Sequence, residues 1–242
     1  MRLNRIYINH ALNLNDTIEL PKDGVRHLVT VLKMTVGQDI ELFNGDGISY
    51  RAVLVEVSKK SVVVKVFEKQ HSKNESSLDL HLYQTISRGD KMDLTIQKAV
   101  ELGVKEITPI TSERCGVKLA ADRLDKKMEH WHKVIISACE QSGRNVIPTL
   151  NQPSSVKKLL SEKSVTNDFL VLHPHSGKPI KQLGSSQLFN LIIGPEGGFT
   201  DDEVVQLIAQ GAQGIKLGPR ILRTETVGLS VISILQSQYG DM

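Results

Sequence analysis

The chain has 242 residues, 40% of them hydrophobic and 24% charged, with a formal net charge of +3. This length suits one large domain or two small ones, and the apolar content supports a packed core, which argues against a disordered chain. A balance so near neutrality also excludes partner choice by overall charge, although a local basic stripe remains open, with Arg2, Arg5, Arg26, Arg51, Lys59 and Lys60 as candidates.

In chain order, Met1 to His10 mixes Arg2, Asn4 and Arg5 with isolated apolar residues, a pattern no secretory signal uses. No apolar run approaches the roughly 18 residues of a membrane helix, so the expectation is a cytoplasmic protein with no membrane partner. Short strands are predicted at Ile6 to Ile8, Asp39 to Phe43, Tyr50 to Val57 and Ser61 to Phe67. They are rich in Val and Ile and punctuated by Asn44-Gly45-Asp46-Gly47. A helix is predicted from Asp23 to Met34, with Asp23 as its cap and Val25, Leu28, Val29 and Leu32 at helical spacing. These elements suggest a small barrel over residues 1–72, closed off by a polar linker from Gln70 to Ser77.

Over residues 73–242 short apolar runs alternate with helical stretches, the pattern of a parallel sheet covered by helices in an α/β domain. Predicted strands are Leu78 to Ile86, Glu106 to Ile110, Phe169 to Leu172, Leu188 to Ile193 and Gly214 to Leu217. Predicted helices are Lys91 to Leu102, Asp122 to Gln141, Ser154 to Ser161, Asp201 to Gln210 and Glu225 to Tyr239. Thr200 followed by Glu203 forms a capping box, and Thr224 is placed to cap the last helix with Glu225 in its first turn. Cys115 and Cys139 form no CxxC pair and read as reduced, buried thiols, and the histidines show no metal-binding spacing.

Two segments carry chemistry. Leu191-Ile192-Ile193-Gly194-Pro195-Glu196-Gly197-Gly198-Phe199-Thr200 delivers an apolar strand into a glycine-rich turn before a helix. Ile215-Lys216-Leu217-Gly218-Pro219-Arg220-Ile221-Leu222-Arg223-Thr224 repeats that plan. Neither matches a dinucleotide or P-loop fingerprint, and each alone reads as a tight turn. Together they place two glycine bends at the carboxyl ends of strands, where open parallel sheets bind ligands, with Leu172-His173-Pro174 as a third wall.

This pair of segments resembles the signature of RsmE, the 16S rRNA (uracil-N3)-methyltransferase family of the SPOUT superfamily. So do Ser87-Arg88-Gly89-Asp90-Lys91-Met92, Gln97 to Val104, Ser112-Glu113-Arg114-Cys115, Cys139 to Arg144 and His27-Leu28 to Met34, in order and spacing along essentially the whole chain. The resemblance implies an N-terminal PUA-like β-barrel, a SPOUT domain tied in a deep trefoil knot, and a symmetric homodimer. It implies S-adenosyl-L-methionine as cofactor and, as substrate, N3 of uridine 1498 of 16S rRNA in the assembled small ribosomal subunit. Cofactor-binding residues carried over are Leu172, His173, Pro174, Gly194, Pro195, Glu196, Gly197, Gly198, Leu217, Gly218, Ile221, Leu222, Arg223 and Thr226. RNA contacts fall to Arg2, Arg5, Arg26, His27 and Arg88.

The chemistry assigns Arg223 to the developing uracil anion and Glu225 or Glu196 to proton acceptance, with no covalent cysteine needed. Glu225 has a second reading as a helix N-terminal acid. The broad apolar surface of the last helix, Val227 to Tyr239, fits either burial within one subunit or a partner. Two other functions stay open: methylation of a ribose 2′-oxygen or of transfer RNA, and a non-catalytic RNA-binding assembly factor.

Overall fold

A computed structural model describes residues 3–117, 121–172 and 177–242. It falls into two compact units, Met1–Glu75 with Cys139–Ile147, and Ser76–Ala138 with Pro148–Met242. The stretch 139–147, which lies in the second half of the sequence, joins the first unit through Glu75. Arg144 Nη2 lies 2.8 Å from Glu75 Oε2, and the amides of Asn145 and Val146 donate to Oε1 at 2.9 and 3.1 Å.

The first unit contains β1 (Asn4–Tyr7), β2 (Thr17–Glu19), a short helix α1 (Lys22–Val25), β3 (Asp39–Phe43), β4 (Ile48–Val57) and β5 (Val62–His71). They form a five-stranded sheet in the order β1-β3-β4-β5-β2, with β1 parallel to β3 and the other pairs antiparallel. The two-residue alternation of a strand puts Tyr50, Ala52 and Leu54 of β4 and Val62, Val64 and Val66 of β5 on one buried face. There they meet Ile6, Leu28, Ile40 and Leu42. Each fully buried aliphatic side chain contributes roughly 1.5–3 kcal/mol.

Two expectations change here. The helix predicted from Asp23 to Met34 is four α-helical residues continued as π-helix over Arg26–Val31. Its N-cap is Pro21, whose extended φ of −61° and ψ of 149° end the preceding backbone, so Asp23 sits in the first turn and caps nothing. Gln70 and His71, placed in a linker, extend β5 because Ser49 and Ile48 of β4 pair with them.

The second unit contains β6 (Asp79–Thr85), α2 (Lys91–Glu101), β7 (Glu106–Thr111), α3 (Ala121–Ser142) except for its last residues 139–142, β8 (Thr149–Leu150), β9 (Ser154–Ser155) and α4 (Val156–Ser161). It continues with β10 (Phe169–Leu172), β11 (Lys178–Pro179), β12 (Leu188–Ile193), α5 (Asp201–Ala209), β13 (Gln213–Lys216) and α6 (Thr224–Tyr239). All recorded pairings are parallel, in the order β11-β13-β10-β12-β6-β7-β8, with β9 also on β7. On one face Phe169, Val171 and Ile192 pack with Val156 and Leu159 of α4 and Val204 and Leu207 of α5.

Helix α6 lies against β6 and β12. A Cβ at its mid-helix Gly228 would make ordinary van der Waals contact, 3.5 Å from Ile193 Cγ1 and 3.7 Å from Leu82 Cδ1, so the helix seats directly on both strands. Two helix starts differ in kind. The Thr200–Glu203 capping box is present. Thr224, by contrast, is the first residue of α6, whose N-cap is Arg223 without a side-chain bond. Its hydroxyl is directed instead to Gly194 O at 2.6 Å. Ser154 and Ser155, expected within α4, form β9, and the Ser155 side chain caps the helix by accepting from Lys158 N. Among the described residues no helix is long and apolar enough to cross a membrane.

Candidate active site

The carboxyl ends of β12, β10 and β13 lie side by side, because β10 pairs with both of the others. From β12 the chain enters Gly194 to Gly198, a turn closed by Gly198 N donating to Pro195 O at 2.9 Å, with Gly198 at φ +70°. Gly194 sits close to the buried Phe199 ring: a Cβ there would lie 3.2 Å from it, and the ring would have to give by a few tenths of an ångström. From β13 the chain bends at Gly218, whose φ of +132° only glycine adopts without strain.

Between these bends lies a cavity of about 710 Å³, inside the range of roughly 300–1,000 Å³ usual for cofactor pockets. Its walls are Leu172, Ile193 to Phe199, Ile215 to Gly218 and Arg220 to Thr224, joined by Lys91, Arg114, Asp201 and Val227. Added Cβ atoms at Gly198 and Gly218 would meet nothing within 4 Å, so both bends leave open space beside their backbone.

Residues outside the two glycine segments hold them in place. Thr85 Oγ1 donates to Ile193 O at 2.7 Å, and the fully buried Gln84 donates to Thr224 Oγ1 at 3.1 Å. Arg114 Nη1 donates to Gly197 O and Phe199 O, each at 3.3 Å. Glu203, 5% exposed, accepts from Thr200 N at 2.9 Å and from Glu113 N at 3.0 Å, fastening the far end of the turn to the segment after β7.

Most of the cofactor-binding residues expected from sequence line this cavity: Leu172, Gly194, Pro195, Glu196, Gly197, Gly198, Leu217, Gly218, Ile221, Leu222 and Arg223. Ile221 is 85% exposed, standing at the rim rather than enclosed. Thr226 is exposed on α6 and is not part of the wall, while His173 and Pro174 lie outside the described residues. Glu196 is in the wall, but Glu225 stands behind it. The Glu225 side chain is 14% exposed, its Oε1 lies 3.5 Å from Lys91 Nζ, and its Oε2 is buried with no hydrogen-bond partner. Lys91 Nζ also lies 3.9 Å from Glu196 Oε1. Lys91 and Arg114 fall inside motifs visible in the sequence, yet no spacing rule gave either a role.

The expected RNA contacts fare differently. Arg26, His27 and Arg88 are exposed, and Arg88 donates to Gly116 O at 3.0 Å. The Arg5 side chain is only 6% exposed and is used inside the first unit. It pairs with Glu41 at 3.2 Å, donates to Arg144 O at 2.9 Å and to Asn145 Oδ1, and lies 4.7 Å over the Phe43 ring. Arg2 lies outside the described residues. Burial pushes the Cys139 thiol up to about 12, the opposite of activation, and Cys115 Sγ is directed at Ile86 O and Val117 O, each at 3.6 Å.

Comparison with known proteins gives a consistent answer. Residues 74–236 match the RNA methyltransferase domain family and residues 20–67 the RNA methyltransferase PUA domain. A ribosomal RNA small subunit methyltransferase E of Buchnera aphidicola is 36% identical over 99% of this chain and 95% of its own length. The chain belongs to the ribosomal RNA small subunit methyltransferase E family. Among solved structures, a Legionella pneumophila protein in complex with the bound cofactor SAM is 40% identical with a TM-score of 0.95, covering 100% of both chains. The family's enzyme from Neisseria gonorrhoeae, bound to S-adenosyl methionine, is 36% identical with a TM-score of 0.90, again over 100% of both. This methyltransferase therefore shares its whole length, and not just one domain, with those relatives.

Proposed function

We propose that this enzyme methylates N3 of uridine 1498 of 16S rRNA in the assembled small ribosomal subunit, using S-adenosyl-L-methionine. The observation that carries the reading is the cavity between the two glycine bends, whose size, open backbone flanks and Leu172, Leu217 and Leu222 walls suit an adenosine-bearing ligand. Bound there, S-adenosylmethionine supplies an electrophilic methyl group on a sulfonium.

The protein's own residues supply the rest. N3 of uracil is a weakly acidic imide that must lose its proton as it attacks, so the site needs an acceptor for the proton and a cation for the developing charge. Of the two glutamates considered, Glu196 faces the cavity and takes the acceptor role, while Glu225 anchors from behind. Arg223, exposed on the wall, stabilises the uracil anion. Arg223→Ala is expected to slow single-turnover methylation at saturating cofactor, and an undiminished rate removes Arg223 from the mechanism.

We read the five-stranded first unit as a PUA-like barrel that binds RNA. The segment after β13 returns past the end of β12, where Thr224 bonds Gly194, and we read this as part of a deep trefoil knot. The half-buried Val227, Leu229 and Ile234 of α6 support a symmetric homodimer, and an rRNA substrate places the enzyme in the cytoplasm. The test is methylation of small subunits from a strain lacking the gene, with the product nucleotide mapped. N3 methylation removes the Watson–Crick donor and stops reverse transcriptase. Protection of one phosphodiester from alkali would mean a 2′-oxygen target instead, and absence of calorimetric S-adenosylmethionine binding would mean a non-catalytic protein.

A further inference from the structure

We infer that Lys91 is a second catalytic cation, one that donates to a uracil carbonyl beside N3 as the proton leaves. The inference rests on the uracil-N3 reading above. An imide anion spreads its charge over the two carbonyl oxygens that flank the nitrogen, so one cation serves only half of it, and Arg223 leaves the other oxygen unassigned.

The position of Lys91 in the fold supplies the match. It is the first residue of α2 and part of the cavity wall. Its ammonium stands 3.5 Å from Glu225 Oε1 and 3.9 Å from Glu196 Oε1, longer than the roughly 2.7–2.9 Å of a direct charge-assisted bond. The two carboxylates thus fix the ammonium by charge without consuming its three hydrogens. Glu225 gives up its role as proton acceptor for this one, since its second oxygen is buried away from the cavity.

A lysine at the first helical position is electrostatically disfavoured, because the amino end of a helix is already positive. The same placement is favourable once an anion forms opposite it, where the ammonium and the end of α2 act in one direction. The charges facing the cavity agree. Lys91, Arg114, Lys216, Arg220 and Arg223 outnumber Glu196 and Asp201 among the described lining residues, so cations remain on the wall beyond those that the acids, Glu225 included, neutralise. The bond changes balance without a further reactant: the N3–H proton passes to Glu196, the N3 electron pair takes the methyl group, and the carbon–sulfur bond electrons stay on sulfur.

The test compares the parent enzyme with Lys91→Met and Lys91→Arg. It measures single-turnover methylation of unmodified small subunits at saturating S-adenosylmethionine from neutral to alkaline pH, beside calorimetric S-adenosylmethionine affinity and Tm. Lys91→Met is expected to lose on the order of 100-fold in rate at neutral pH, the usual effect of removing a donor to a developing oxyanion. Its deficit narrows as alkali deprotonates the imide unaided, its cofactor affinity holds, and Lys91→Arg recovers most of the rate. A deficit that is constant with pH, or an unchanged rate, overturns the proposal. So does lost cofactor affinity with a normal rate at saturation, which would place the ammonium on the cofactor's carboxylate. If Lys91→Met melts far below the parent, Lys91→Leu carries the same comparison, since it too removes both the charge and the donor. Should the parent itself make a product other than N3-methyluridine, the functional reading fails first. Should N3-methyluridine form while the Lys91→Met deficit stays flat, only this inference fails.

Discussion

Replacing Glu203 by alanine tests whether the glycine turn of the site is held from outside itself. The carboxylate is 5% exposed and accepts two backbone hydrogen bonds, from Thr200 N at 2.9 Å and Glu113 N at 3.0 Å. A hydrogen bond to a charged acceptor contributes about 1.5–3 kcal/mol, and the Thr200 amide regains part of its share from water, so the expected loss is about 3–4 kcal/mol. At about 2–4 °C per kcal/mol for a chain of this size, Tm should fall by about 6–16 °C. Glu203→Gln keeps one acceptor but turns an amide donor toward the other N–H, and should fall between the two. Calorimetry should show S-adenosylmethionine binding weakened about tenfold in Glu203→Ala, because ordering the loosened turn on binding costs on the order of 1.4 kcal/mol. A Glu203→Ala variant melting within about 2 °C of the parent and binding the cofactor normally would refute the claim that this carboxylate carries the turn.

Gly218→Ala should keep its fold but bind S-adenosylmethionine on the order of tenfold more weakly. At φ +132° the new side chain costs about 1–3 kcal/mol of backbone strain that only a shift of the bend relieves; isothermal titration beside a melting curve separates the two effects. Arg5→Met should lower the stability of the first unit by about 1–3 kcal/mol, because it removes the charged partner of Glu41 and the donors to Arg144 O and Asn145 Oδ1. Denaturant unfolding checks this, and an unchanged midpoint with weakened RNA binding would restore Arg5 to the RNA surface. Burial pushes His81 down to about 4 from an ordinary 6.5, against a smaller opposing pull from Glu106. The unfolded chain therefore binds more protons between those values, and stability falls as pH drops from 6.5 to 4, by up to about 3 kcal/mol, then levels off. In His81→Gln that part of the pH dependence should vanish from urea titrations, and a slope equal to the parent's would contradict it.

The alternation of apolar residues in β4 and β5, the apolar run Phe169 to Leu172, the largely apolar run Leu188 to Ile193, and the Thr200–Glu203 box were all legible because each is a local pattern read over a few residues. The glycine segments were legible for the same reason, together with their resemblance to a known family. Gln70 and His71 were not, since a polar strand end is decided by its partner β4 across the ladder. Nor was the π-helix over Arg26–Val31, whose winding a helical spacing of apolar residues does not reveal.

By itself the sequence determined a parallel α/β arrangement and two glycine bends at strand ends, because backbone periodicity and turn chemistry are written in neighbouring residues. Only the tertiary structure decided which side chains converge on those bends. Thr85, Lys91, Arg114 and Glu203 reach the site from elements far apart in the chain, Thr224 turned from cap to latch, and Arg5 turned from surface to support. A side chain's partner across the fold depends on strand order and helix packing, and no local spacing encodes either.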